Sequence, residues 1–118
     1  MMSRNSDLLN YNVDRIIVRN GRIFGFGWIF HRESEVKSIR LELRLSDGET
    51  VSLPVIYNKA RDDVYKAHPD VPHSLASGFV LYGGWNARAD VADASIVGSL
   101  QEGGAFSVGV PISNVPVL

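Results

Sequence analysis

Three potential metal ligands fall within six residues at His68, Asp70 and His73. Two imidazoles and a carboxylate form a donor set that could hold a divalent cation. Pro69 and Pro72 stiffen this segment but do not aim the donors at one point, so a solvated loop is expected over a small metal-dependent enzyme. Ser74 and Ser77 follow without a Gly-x-Ser-x-Gly elbow and with no base placed to activate them. Asp62 and Asp63 are adjacent on a short helical pattern, where neighbours point about 100° apart, so they are not spaced as an acid–base pair. Gly25-Phe26-Gly27 lies inside a strand pattern and Gly83-Gly84 runs into Trp85. Neither glycine pair stands at the strand-to-helix turn that cradles a phosphate. The expectation is a chain with no catalytic constellation, no metal site and no cofactor.

Aromatic residues offer a different chemistry. Tyr57, Tyr65, Tyr82 and Trp85 fall at strand ends, on the helical pattern or on the polar parity of a strand. An exposed ring beside Asn86, Arg88 or Arg61 could stack on a sugar or grip a protein partner. The candidate ligand-binding set is Tyr82, Trp85, Asn86, Tyr57 and Arg61. Trp28 and Phe79 sit on apolar strand faces and read as core. Arg40, Glu42 and Arg44 carry mixed charge, as a solvated sheet face does.

The elements that must position these residues are strands. Ile39, Leu41, Leu43 and Leu45 alternate with Ser38, Arg40, Glu42 and Arg44, the signature of a half-buried strand. Val51, Leu53 and Val55 resume the alternation after Ser46-Asp47-Gly48. A two-residue Asp-Gly loop would set the apolar residues on opposite faces. A three-residue loop puts Leu43 opposite Val51 and Leu41 opposite Leu53, with Gly48 in the left-handed conformation of a G1 bulge. Val13 to Arg19 and Arg22 to Phe30 flank Asn20-Gly21, a strong type I′ hairpin signal. Their register stays open, because Ile16, Ile17 and Val18 offer apolar groups to both faces. Gly25 and Gly27 leave one face of the second strand nearly bare and suggest a bulge or a close backbone approach. The alternate face, with Phe24, Phe26 and Trp28, is expected to point inward.

The period then changes. Ala60, Val64 and Ala67 recur at spacings of four and three, Asn58 can cap, and Pro69 stops the run, so a helix is expected over 59–67 and a loop over 69–77. Strands follow over 78–85, from 94 to 100, and through Phe106, Val108, Val110 and Ile112, with Pro111 at an edge or strand end. About seven short strands and one crossover helix favour an all-β, two-sheet antiparallel sandwich of the immunoglobulin or fibronectin kind, with a small barrel as runner-up.

Length and charge bound the rest. One domain is expected from 118 residues, with 1–12 as a flexible leader, 13–113 as the β domain, and 114–118 as a tail or the start of a linker. Twelve basic against thirteen acidic residues give a net charge of −1, which lends a nucleic-acid role little electrostatic support. The absence of cysteine rules out disulfides and thiolate metal sites. No apolar run reaches the length of a signal sequence or a membrane span, so a cytoplasmic location without membrane insertion is expected.

Four short segments carry a family resemblance: Gly27-Trp28, Asp47-Gly48, Arg61-Asp62-Asp63-Val64 and Ser77-Gly78-Phe79. In that order and spacing, over residues 13–85, the chain resembles the β-sandwich accessory domain found beside bacterial glycosyltransferases and methyltransferases of surface-polysaccharide synthesis. It departs from that pattern at Ile29, where alanine is usual, and at Asp62, where proline is usual. The resemblance implies a non-catalytic module whose partner is a glycan or an adjacent catalytic domain. On the residues alone, Arg61 and Asp63 could hold the crossover to a sheet edge while Val64 plugs the fold and Trp28 covers it. A self-associating structural domain is the alternative function, with a homo-oligomer as its consequence.

Overall fold

Turn chemistry sets the first two registers of the structure, a computed structural model that describes residues 8–85 and 90–112. Strands β1 (Leu9–Arg19) and β2 (Arg22–His31) are joined by Asn20 and Gly21, at φ 50° and 72°, the double positive φ of a type I′ turn. β1 starts four residues ahead of the expected Val13, and Asp14 forms an unpaired bulge between Val13, opposite Gly27, and Arg15, opposite Phe26. Strands β3 (Val36–Leu45) and β4 (Thr50–Lys59) pair with Leu43 opposite Val51 and Leu41 opposite Leu53. The loop is Ser46-Asp47-Gly48, with Gly48 at φ 94° and the Leu45 N–H donating to the Glu49 carbonyl. Both hairpins match the sequence reading.

The remaining elements are α1 (Asp62–Ala67), a 3-10 helix (Pro72–Ala76), β5 (Gly78–Gly84), β6 (Val91–Leu100) and β7 (Ala105–Val110). The 3-10 helix occupies what the sequence suggests is plain loop. The helix is shorter than expected, with Arg61 at its N-cap and no side-chain cap. Asn58 does not cap it; it holds φ 69° in an irregularity of β4 between Ile56 and Lys59.

The expected two-sheet sandwich is not formed. The seven strands make one antiparallel sheet in the order β1-β2-β5-β4-β3-β6-β7, nearly closed into a barrel. The cause lies in β4, which is shared between two neighbours. Thr50 to Pro54 pair with β3, whereas Val55 and Ile56 pair with Val80 and Leu81 of β5. The hand-over falls at Pro54, which has no N–H to give to either ladder. Two halves that could have been separate layers are thereby joined through one strand.

Residues Ile29, Leu41, Leu43, Leu81 and Ile96 are fully enclosed, with Phe79, Phe106, Val108 and Val110 beside them in one core. The aromatic stripe of β2 does not join them, which corrects a second expectation. Ile23, Gly25, Gly27, Ile29 and His31 face inward, leaving Phe24 and Phe26 exposed. A Cβ on Gly27 would stand 2.2 Å from the Asn12 carbonyl oxygen and 2.9 Å from Cζ of Phe79. The backbone of β1 and the ring of Phe79 therefore occupy the space an inward side chain would need.

A second, smaller cluster lies on the outer side of the wall. Phe30, Val64 and Val71 are buried together, and Trp28 stacks on Phe30 with ring centroids 5.9 Å apart. Helix α1 and the 3-10 helix cover this end of the stripe only. Val64 thus plugs an external cluster and not the interior, and Trp28 is its half-buried edge.

The crowding at Gly27 makes a clear stability prediction. Gly27→Ala should lower unfolding free energy by about 1–3 kcal/mol or more, as overpacking does. Gly109→Ala, where nothing lies within 4 Å of the added carbon, should stay within about 0.5 kcal/mol of the parent. Urea denaturation of the two variants checks the difference.

Candidate functional site

The hairpin of β1 and β2 continues across β5 with a regular outer face. Ile17 pairs with Phe24 and Phe24 with Tyr82; Arg19 pairs with Arg22 and Arg22 with Gly84; Arg15 pairs with Phe26 and Phe26 with Val80. Cross-strand partners share a face, so these residues form three rows on the outside of the barrel wall. Ile56, opposite Val80 on β4, extends the last row.

Two features make this face unusual. Phe24 keeps 47% of its surface in water, Phe26 38%, Ile56 52% and Tyr82 67%, whereas large apolar groups on a small domain are normally scattered singly. Gly84 also leaves a gap in the row beside Tyr82. The gap opens into a cleft of about 510 Å³ whose walls include Ile17, Phe24, Tyr82 and Gly83, with Arg19, Asn20 and Arg22 at its rim. Tyr82 and Phe24 bring exposed aromatic side chains to it, and Arg19, Asn20 and Arg22 are residues with hydrogen-bond donors. That combination can hold a flat, partly apolar and partly hydroxylated ligand.

The five residues proposed from sequence are divided between two ends of the sheet. Tyr82 stands at the cleft. Trp85 lies just beyond it, half-buried against the main core, with its backbone N–H donating to the Gly21 carbonyl at 2.8 Å. Asn86 lies outside the described residues. Tyr57 and Arg61 are at the opposite end. The Tyr57 hydroxyl donates to the Ile29 carbonyl at 2.5 Å, and burial, with the charge of Glu35 adding to it, pushes its pKa well above the ordinary value. Arg61 bonds Asp63 through Nε and NH2 and reaches Asp14 at 2.9 Å through NH1. The hydrogen bonds to Asp63 raise the Arg61 pKa and hold the Asp63 carboxyl at about 2. This residue ties the start of α1 to the bulge of β1, close to the crossover role suggested for it.

Phe24, Phe26, Ile56, Arg19 and Arg22 were missed by the sequence reading because the aromatic face of β2 was turned the wrong way. A signal existed: Arg22 shares the parity of Phe24 and Phe26, and Arg15 and Arg19 share that of Ile17. Charged residues on the same parity mark the face that meets water.

The groups first considered for catalysis are held by the layer over Phe30. His73 Nε2 and the His31 carbonyl lie 2.6 Å apart, Asp70 pairs with Arg32 at 2.6 Å, and the His68 ring packs edge-on against Phe30 at 5.1 Å. Ser74 Oγ donates to the His68 carbonyl at 3.2 Å and Ser77 Oγ to the Ser74 carbonyl at 2.6 Å. Among the described residues no group of three His, Cys, Asp or Glu is arranged to hold a metal ion, and no helix is long and apolar enough to cross a membrane. No family of proteins matches this chain, and neither a curated protein nor a solved structure does.

Among the described residues, His31 is the one buried titratable group of the inner face. Its Nδ1 accepts from the backbone N–H groups of Glu33 and Ser34, each at 3.1 Å. The imidazole is thus neutral, with its proton on Nε2, which has no partner among the described residues. Burial lowers its pKa below 6.5; Glu33 and Glu102 oppose the shift and His73 adds to it. The unfolded chain therefore takes up a proton at a higher pH than the folded one. Stability is complete above about pH 6.5 and falls as the pH drops through that value toward the folded pKa. Thermal melts from pH 7.5 to 5 should show this decline, and His31→Asn, which keeps an acceptor but cannot titrate, should flatten it.

Proposed function

We propose that this chain is a non-catalytic carbohydrate-binding module that acts beside enzymes of polysaccharide assembly, holding a saccharide in the cleft at the β1–β2 hairpin. The observation that carries the reading is the pairing of Phe24 with Tyr82. They stand directly opposite in the ladder, both open to water, beside the gap at Gly84, and Arg19, Asn20 and Arg22 line the same cleft. Rings that contributed only to the fold would be more stable facing the core, at about 1.5–3 kcal/mol for full burial of each large side chain. Their exposure supports a ligand that covers them.

A second reading has its own support. Away from the cleft the face continues as Phe26, Val80 and Ile56, an apolar row that suits an adjacent catalytic domain better than a sugar. The two uses occupy neighbouring parts of one surface.

A glycan array followed by titration of the best oligosaccharide tests the proposal. Binding at millimolar concentration or tighter is expected, with Tyr82→Ala or Phe24→Ala weakening it about five- to tenfold, as loss of a ring that contributes more than about 1 kcal/mol would. No binding to any glycan, or binding unchanged in both variants, overturns it.

A further inference from the structure

Among the described residues, four arginines are paired with carboxylates: Arg32 with Asp70, Arg40 with Glu42, Arg44 with Asp93, and Arg61 with Asp14 and Asp63. The other three, Arg15, Arg19 and Arg22, have no such partner there, and all three lie on the outer face of the β1–β2 hairpin. Arg19 and Arg22 are the closing pair of that hairpin, directly opposite each other. Like charges in that position destabilise a ladder. On its other side Arg22 faces Gly84, which offers no counter-charge. Both arginines line the cleft that Tyr82 and Phe24 also line.

We infer that the saccharide this cleft takes is an acidic one, carrying a carboxylate or a phosphate that Arg19 and Arg22 bind while its ring covers Tyr82 and Phe24. The inference rests on the carbohydrate-binding reading and narrows it. A planar guanidinium presents paired N–H donors that match either anion in a bidentate fashion. The ligand's charge would also relieve the repulsion between the two arginines, neither of which has a carboxylate partner among the described residues. Single-stranded nucleic acid could use rings and arginines too. It would need a basic track, however, and among the described residues the unpaired arginines are confined to one hairpin of a chain with net charge −1.

The test compares uronate-containing oligosaccharides with the same molecules after carboxyl reduction, and phosphodiester-linked oligosaccharides with dephosphorylated ones. Oligothymidylate serves as a further arm. The charged form of at least one pair should bind about tenfold more tightly than its neutral form at low salt, and which pair responds identifies the anion. The preference should shrink at higher ionic strength. Arg22→Gln and Arg19→Gln should each remove most of the preference while leaving the melting temperature unchanged or raised, whereas Tyr82→Ala should weaken charged and neutral forms alike. Equal affinity for charged and neutral forms overturns the acidic specificity and leaves the carbohydrate-binding reading intact. Absence of binding to every saccharide overturns both. Tighter binding of oligothymidylate than of any saccharide replaces both with a nucleic-acid role.

Discussion

On its inner side, β2 has room for nothing larger than hydrogen at Gly27. The backbone of β1 and the ring of Phe79 already fill that space. Every second residue of the strand is then committed to the opposite face, and in this sequence those residues are Phe24, Phe26, Trp28 and Phe30. The interior takes its bulk from other strands instead, through Leu41, Leu43, Phe79, Leu81 and Ile96. A packing requirement inside the barrel thus turns the aromatic stripe of β2 outward. The outward facing of these positions follows from the same geometry that closes the core, whereas their aromatic character does not.

The stripe is divided by what covers it. Helix α1 and the 3-10 helix seal Phe30 and half-cover Trp28, and they stop there. Their position is fixed from several directions: Arg61 reaches Asp14 in the β1 bulge and Asp63 in α1, Arg32 reaches Asp70, and the Arg61 backbone N–H donates to the Leu75 carbonyl at 2.7 Å. The bulge matters because Asp14 is the extra residue in its ladder. Without it, β1 would keep one alternation throughout, and the carboxylate would lose the separate position from which it meets Arg61. Beyond the reach of this layer, Phe24, Phe26 and Tyr82 remain open to solvent.

Local signals in the sequence were readable to the residue. The Asn-Gly turn, the three-residue Ser-Asp-Gly loop and the facing of Leu41, Leu43, Phe106, Val108 and Val110 all depend on neighbours within one hairpin or on strict alternation along one strand. Sheet closure and the facing of β2 were not readable in the same way. The choice between two layers and one depended on β4 pairing with β3 before Pro54 and with β5 after it, and β5 is some twenty residues away along the chain. The facing of β2 depended on steric exclusion by Asn12 and Phe79, which no alternation within β2 records, since both of its faces are apolar or bare. The site was half legible for the same reason. Tyr82 is marked by its polar parity, while Phe24 becomes visible only once the glycines are known to point inward. Tyr57 and Arg61 looked like ligand groups because they are polar side chains near turns. Tyr57 closes a hydrogen bond from β4 to the Ile29 carbonyl of β2, and Arg61 makes the ion pairs that hold the covering layer to the β1 bulge.

The division of polar groups between the two ends of the sheet bears on how the molecule can act. At the covered end, His68, Asp70, His73, Ser74 and Ser77 make contacts that brace two short helical segments, each too brief to be stable without packing. Removing any of them from that task would loosen the cover over Phe30, so their chemistry is coupled to the integrity of the layer. At the open end the polar groups of Arg19, Asn20 and Arg22 stand on a hairpin whose register is already secured by its type I′ turn. They can therefore engage a ligand without disturbing the turn that positions them. Substitution is accordingly better tolerated at the hairpin, whereas the helical layer is bound to the fold.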